Sequence, residues 1–290
     1  MRKVLLISAV LLLFVSHVLA LYLGESYQEG STSEVVARLQ EVTVAPKTMV
    51  QAKETAPISV GVPKPAAALN TGTWNYNTIA DTGGPKKLNS DGAYSTTVKD
   101  DGGVWIVTIT MKFPEGPVAD VWTLEKSTLI LRRESFRHFT HENQKWKPVA
   151  IDLDFTDNKV SGTSTNANGQ TKQVAVDLTG PIFADATGSM VTIGCLPLAD
   201  GYSTTVRDWD IEHLKERPWQ LRVTGMERVT VPAGTFDSYK VALTSTDGSG
   251  DQETVWIAKD SRMPVKVSAL DKLYGIINTE MVPNSVEVGK

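Results

Sequence analysis

Residues 224–267, TGMERVTVPAGTFDSYKVALTSTDGSGDQETVWIAKDSRMPVKV, decide the fold because they alternate apolar and polar side chains between tight turns. A strand turns successive side chains to opposite faces, and residues 239–243 and 253–258 follow that period. The Asp-Gly-Ser-Gly cluster at 247–250 supplies a chain reversal between them. The stretch therefore predicts four antiparallel strands. Pro264 lacks an amide proton, which predicts an edge strand or a bulge there.

The same pattern extends over residues 69–283, which we interpret as one β domain. Turn signals recur about every 8–12 residues with little helical periodicity, as in an antiparallel meander. We predict an all-β fold, a curved meander sheet or half-barrel. Residues 180–201 interrupt it and predict a short helix plus a loop that covers one end of the sheet. Residues 207–217 are expected to hold one helical turn.

The N-terminus indicates export. Residues 1–20 combine Arg2-Lys3, an apolar run and a small residue at Ala20, as a cleavable signal peptide does. An uncleaved anchor over residues 4–23 is the alternative, because that run is about long enough to span a bilayer. We expect a periplasmic or extracellular protein, or one anchored by its N-terminus and facing outside. Residues 21–68 predict a flexible Pro/Ala-rich spacer with a possible short helix, and 284–290 a tail.

Composition and charge argue against some classes of binding partner. The chain has 290 residues and a net charge of −4, with no basic block, which argues against nucleic acid. Membrane association is expected only through the N-terminal segment, if it is uncleaved. The single cysteine, Cys195, excludes an intramolecular disulfide and is interpreted as a small buried hydrophobe.

No residue pattern specifies a reaction, so we predict no catalytic residue, no metal ligand and no cofactor, and enzymatic activity stays uncertain. His138 and His141 lie at a spacing that puts them on opposite faces of a strand, and we expect exposed strand-end histidines. Three acidic residues before a predicted hairpin turn are interpreted as outward-facing carboxylates: Asp152, Asp154 and Asp157. A second group places acids and a base close together in sequence, which alone does not make a general acid–base site: Asp208, Asp210, Glu212 and His213.

Aromatic residues give the leading functional hypothesis. Seven tryptophans are distributed through the strands, and a curved sheet leaves a cleft on its concave side. We expect a non-catalytic protein that binds an apolar or amphipathic, lipid-like ligand there. The alternatives are a carbohydrate-binding module with an exposed tryptophan, and a hydrolase with His213 or His141 beside a carboxylate or hydroxyl. The candidates to line the cleft are Trp105, Trp122, Tyr239, Trp256 and Met263.

Four short motifs follow one another within residues 70–282. Their residues are Gly72, Trp74 and Tyr76; Leu196, Pro197, Leu198 and Gly201; Pro232, Gly234, Thr235 and Phe236; and Trp256, Ala258, Asp260, Pro264 and Val265. These motifs resemble those of an uncharacterised family of bacterial envelope domains. The resemblance implies a curved antiparallel half-barrel, similar to the lipoprotein carriers LolA and LolB, whose concave side can hold an acyl chain. It implies no catalytic residue, and this chain departs from the family in lacking a lipidation cysteine.

Overall fold

The computed structural model describes residues 61–81, 87–89, 92–113, 116–142, 145–183, 190–211, 213–271 and 275–284. Strands dominate these residues, and one short helix lies among them. In chain order the elements are β1 (Gly72–Asp81), β2 (Lys87–Asn89), β3 (Tyr94–Asp101), β4 (Val104–Phe113), β5 (Gly116–Glu125), β6 (Leu131–Glu142), β7 (Lys145–Phe155), β8 (Lys159–Thr165), β9 (Thr171–Asp177), α1 (Val191–Gly194), β10 (Ser203–Asp210), β11 (Lys215–Val231), β12 (Gly234–Ser245), β13 (Gln252–Ala258), β14 (Pro264–Asp271) and β15 (Gly275–Val282).

All the strands belong to one antiparallel sheet, which confirms the all-β prediction. The path runs from β10 through β15 to β1 and then from β3 to β9, and β2 pairs with β1 beside this path. Almost every neighbour in the sheet is a neighbour in sequence, as short hairpin turns require. Strand β1 joins the two halves of the meander, because it pairs with β15 on one side and with β3 on the other.

The stretch 224–267 forms four consecutive strands, as its alternation predicts. They are the second half of β11 and the strands β12, β13 and β14. The expectation of an edge strand at Pro264 is wrong, because β14 pairs with both β13 and β15. The expectation of a bulge is right, since the register between β13 and β14 shifts between Trp256 and Ile257, and Ile257 lies opposite Pro264. The bulge accommodates a residue that cannot donate to the ladder.

The sheet rolls up without closing into a barrel. Its path ends at β9 and β10, and no ladder joins these two strands among the described residues. Asp208, Trp209 and Asp210 are nevertheless all buried, so β10 is covered on both faces. The Trp209 ring meets Phe155 of β7 edge to face, with the ring centroids 5.5 Å apart. Side-chain packing thus joins β10 to β7, two strands in from the other end of the sheet.

One continuous apolar core fills the rolled sheet. Along each strand every second residue points inward, and the inward residues of β4 and β5 are almost completely buried. The largest side chains with no more than 1% of their surface exposed include three tryptophans, each of which removes roughly 200 Å² from water. They are Trp122, Trp209 and Trp219.

Residues 178–202, which we name the cover segment, connect β9 to β10 across the end of the roll. The structure describes 178–183 and 190–202 of it. It contains α1, and Met190 to Leu196 are all buried, so the prediction of a short helix and covering loop is confirmed. The expected helical turn within 207–217 is wrong, because those residues form β10, a tight turn and β11, with eight residue pairs in register.

The predicted signal peptide, anchor and most of the spacer lie outside the described residues. The described chain begins at Gly61, and Pro63 and Leu69 are already buried against the domain. The predicted tail lies outside them except for its first residue, 284. In the described part of the chain, no helix has the length and hydropathy to cross a membrane.

Candidate ligand-binding interior

Four of the five predicted cleft residues lie on the inner face of the sheet, and three of these are buried. Trp105 on β4 and Trp122 on β5 are 4% and 0% exposed, and Met263, just before β14, is 1% exposed. The Trp122 indole donates a hydrogen bond to the Glu134 carboxylate of β6 at 3.3 Å. The positions of the two tryptophans follow from strand alternation, because Val107 and Leu124, two residues further along the same strands, are also buried. The interior is therefore apolar and aromatic with a few polar groups.

The cover segment closes this interior through a small number of specific contacts. The backbone amides of Ala66 and Ala67 both donate to the Cys195 carbonyl, at 2.7 and 3.1 Å. Gly194 lies so close to the Arg262 carbonyl that an added Cβ would overlap it. At the other end of the segment, Thr179 donates its hydroxyl to the Glu216 carboxylate at 2.7 Å. The Leu131 amide also donates to the Ile182 carbonyl and the Phe183 amide to the Arg207 carbonyl, both at 2.9 Å, and residues 190–196 are buried in the core.

Tyr239 lies where the sheet meets the cover segment. It is half-buried on β12 and pairs in register with Ile257, so it shares the inner face. The guanidinium of Arg262 lies over its ring, 5.2 Å from the centroid. Arg262 also contributes to the electrostatics of Cys195 across the junction. Tyr239, Met263 and Arg262 thus form one rim of the interior, and sequence reasoning missed Arg262.

Trp256 lies on the outer face and is not brought together with the other four candidates. It is half-buried between inward Val255 and Ile257, and its indole donates to the Glu227 carboxylate at 2.9 Å. The lysines opposite it on the two neighbouring strands, Lys240 and Lys266, lie 5.4 and 5.8 Å from its ring centroid. Alternation divides residues between two faces, but it does not say which face is concave.

An open groove of about 280 Å³ lies on β12 to β15. It includes the Ala242–Thr254 pair, which lies two residues along the ladder from the pair formed by Lys240 and Trp256. Small and polar side chains form most of its wall, and Leu270 and Ile276 stand exposed at its rim. The lining residues are Ala242, Leu243, Thr244, Gln252, Glu253, Thr254, Ser268, Ala269, Leu270 and Ile276. Three of these residues, Leu243, Glu253 and Ala269, are buried.

The cysteine and the two histidines of the His138–His141 pair are the first of the reactive side chains that the sequence singles out. Burial raises the pKa of the Cys195 thiol to about 12, and Arg262 offsets this only in part, so little thiolate forms at neutral pH. His138 is 8% exposed and stacks on Phe136, so the expectation of an exposed histidine there is wrong. The side chain of His141 lies outside the described residues. Within the described ranges no three side chains of metal-binding type come together.

His213 and Asp210 come together as the hydrolase alternative requires. The His213 Nδ1 lies 3.0 Å from each oxygen of the Asp210 carboxylate, which is fully buried. The backbone amide of His213 donates to the same carboxylate at 3.0 Å. This double contact clamps the β10–β11 turn, and that explains the pair without catalysis.

The carboxylates expected before the β7–β8 hairpin are outward and ion-paired. Asp152 is held by Arg137 at 2.7 Å and by Ser135, and Asp157 by Arg132 at 2.7 Å. Such pairs on the outer face contribute little free energy of folding. Asp154 lies near Arg133 at 3.7 Å.

Comparison with known proteins identifies a family. No curated protein matches the chain significantly. Among solved structures, a β-barrel-like protein of the domain of unknown function DUF1849 from Brucella abortus is similar with 11% identity, a TM-score of 0.47, and coverage of 75% of this chain and 98% of that chain. The hypothetical lipoprotein YmcC from Escherichia coli K12 is similar with 9% identity, a TM-score of 0.29, and coverage of 72% and 83%.

A protein with a YmcC-like fold from Bacteroides fragilis NCTC 9343 is similar with 10% identity, a TM-score of 0.30, and coverage of 76% and 98%. These likenesses are distant, and the description of the fold rests on the strand pairing of this chain. A family described as "Protein of unknown function (DUF3108)" matches residues 80–282, which is more than half of the chain. The chain therefore belongs to the DUF3108 family, an uncharacterised family in which it adopts a rolled antiparallel sheet.

Proposed function

We propose that the protein is an exported, non-catalytic binding protein that holds an amphipathic, lipid-like ligand between the rolled sheet and the cover segment. The observation that carries this proposal is the closure of an aromatic and aliphatic interior by a segment whose described residues, 178–183 and 190–202, pair with no strand of the sheet. Residues 190–196 of that segment are buried over the inner face. An apolar interior with a detachable cover suits a ligand with a long apolar part.

The mode of attachment of the cover supports entry of a ligand. The hydrogen bonds that hold it include those at Cys195 and Thr179 and two backbone bonds, one between Leu131 and Ile182 and one between Phe183 and Arg207. Each such bond contributes about 1 kcal/mol net, and opening also exposes buried apolar side chains of the cover at roughly 1.5–3 kcal/mol each, so the open form needs a ligand whose burial replaces theirs. Burial of an acyl chain returns roughly 0.8 kcal/mol per CH₂ group. Exchange of cover contacts for ligand contacts is therefore energetically reasonable.

The two alternatives find less support. A carbohydrate-binding module needs an aromatic face open to a sugar ring. Trp105 and Trp122 are buried. The ammonium groups of Lys240 and Lys266 lie against the ring of Trp256, where a sugar would have to stack. A hydrolase needs the Asp210–His213 pair to act on a substrate, whereas the pair already serves to hold a turn.

Titration of the purified full-length protein with palmitate, followed by tryptophan emission, tests the proposal. We expect a saturable change in emission, because inner-face indoles such as Trp122 would contact the ligand. The change should shrink in Trp122→Phe and persist in Trp256→Phe, the matched control on the outer face. An emission spectrum that stays constant at saturating palmitate would overturn the proposal.

A further inference from the structure

Arg262 occupies a constrained position in the turn between β13 and β14. Its backbone amide donates to the Ala258 carbonyl at 2.9 Å, and the Ala258 amide donates to the Met263 carbonyl at 2.9 Å. Its φ is 56°, in the left-handed region that residues other than glycine rarely adopt. Such a conformation costs free energy and persists where the surroundings enforce it, as at many binding sites. The turn thus holds Arg262 at one place on the rim.

The guanidinium of Arg262 is only partly satisfied. Its Nη1 is buried and has no hydrogen-bond partner among the residues that the structure describes. In the same set of residues no carboxylate lies within ion-pair distance of it; the contact made is with the face of Tyr239. Buried arginine nitrogens are normally paired, because an uncompensated buried donor is costly. An acceptor supplied by a ligand would complete the site.

The place of Arg262 relative to the interior indicates which part of a ligand it would meet. The next residue, Met263, is 1% exposed and points inward. On the other side, Gly194 of the cover segment rests against the Arg262 carbonyl. Arg262 therefore stands between the apolar interior and the outside, at the edge of the cover. An amphipathic ligand with its chain inside would place its polar end here.

We propose that Arg262 binds the anionic head group, a carboxylate or a phosphate, of an amphiphile whose chain lies in the interior. This rests on the proposed function and specifies its ligand class. The planar guanidinium presents paired N–H donors that match the spacing of carboxylate and phosphate oxygens. The flanking Tyr239 ring keeps the guanidinium plane in place by a cation–π contact.

Competition binding with matched head groups tests this inference. The dissociation constants of palmitate, hexadecyl phosphate and the neutral glyceryl monopalmitate are measured with the full-length protein at neutral pH, and the ratio of the neutral to the anionic constants is compared between variants. Inorganic phosphate is added as a competitor that has no alkyl chain. We expect the two anionic amphiphiles to bind about tenfold more tightly than the neutral one, as charge-assisted hydrogen bonds imply. That ratio should fall to about one in Arg262→Gln and lie between these values in Arg262→Lys.

Arg228→Gln is the matched control, because the Arg228 side chain is exposed on β11, next to inward Val229, and should leave the ratio unchanged. If Arg262→Gln does not fold, the wild-type ratio and the Arg262→Lys variant still decide the matter. Binding of the neutral amphiphile with an unchanged ratio in the variants overturns this inference alone. Absence of binding by all three amphiphiles overturns the proposed function with it. Inorganic phosphate that competes as well as hexadecyl phosphate overturns the assignment to an amphiphile.

Discussion

Gly194→Ala is expected to lower the free energy of unfolding by about 3 kcal/mol. The reason is steric and local. The new methyl group would overlap the carbonyl oxygen of Arg262, which belongs to a fixed turn between two strands and has no rotamer to change. Either α1 lifts from the sheet or the turn shifts, and both loosen the junction of cover and sheet. The cover should therefore detach more readily as well.

Urea unfolding followed by circular dichroism measures this effect, and binding of a lipophilic dye reports the exposed interior. Gly103→Ala is the matched control, because its added Cβ meets nothing within 4 Å and its backbone is not left-handed. We expect that control to change the free energy of unfolding by less than about 0.5 kcal/mol. A Gly194→Ala midpoint equal to that of wild type would show that the cover does not rest on this contact.

Much of the fold could be predicted because the relevant signals are local. Alternation within 224–267 specifies strands directly, and Gly-rich reversals specify their antiparallel order. The first and last of the four motifs that carried the family resemblance meet in space, because the Tyr76 hydroxyl of the first donates to the Pro264 carbonyl of the last at 3.0 Å. This bond reaches across β15 from β1 to β14, so it helps to fix the curvature of the sheet.

The candidate site was predicted only in part, because the signals it depends on are not local. Trp256 and Trp122 both lie on alternating strands, yet only the roll of the whole sheet decides which of them faces inward. The same roll buries three consecutive residues of β10, 208–210, which no period of two can anticipate. Arg262 was missed because its role depends on a turn conformation and on a segment that is 68 residues away at Gly194.

A buried charge cluster at the 245–251 turn was also missed, and it is the least expected feature of the interior. Arg217 is 1% exposed, stacks on Trp219 at 4.7 Å, and pairs with Asp251 and, at 3.5 Å, with Asp247. Burial raises the pKa of Asp247, but its bonds with Ser245 and Ser249 and the charge of Arg217 outweigh this and hold that pKa well below its usual range. The cluster joins the start of β11 to the turn before β13.

Arg217→Met should lower the free energy of unfolding by about 3–5 kcal/mol at neutral pH, because it leaves the Asp251 carboxylate buried and uncompensated. Lys215→Met is the matched control: Lys215 lies 3.7 Å from Asp247 but its side chain is 49% exposed, so a loss below about 1 kcal/mol is expected. Adding Asp251→Asn to Arg217→Met should recover part of the loss, since the stranded charge is then removed.

The pH dependence of the free energy of unfolding tests the same charge cluster independently. A carboxylate whose pKa is lowered on folding stabilises the native state above its unfolded pKa of about 4, and this contribution is lost as the pH falls through the folded pKa. The difference in free energy of unfolding between wild type and Arg217→Met should therefore shrink as urea titrations are taken from neutral pH to well below pH 4. A difference that stays constant over that range would mean that packing of the Arg217 side chain on Trp219, and not its charge, stabilises the turn.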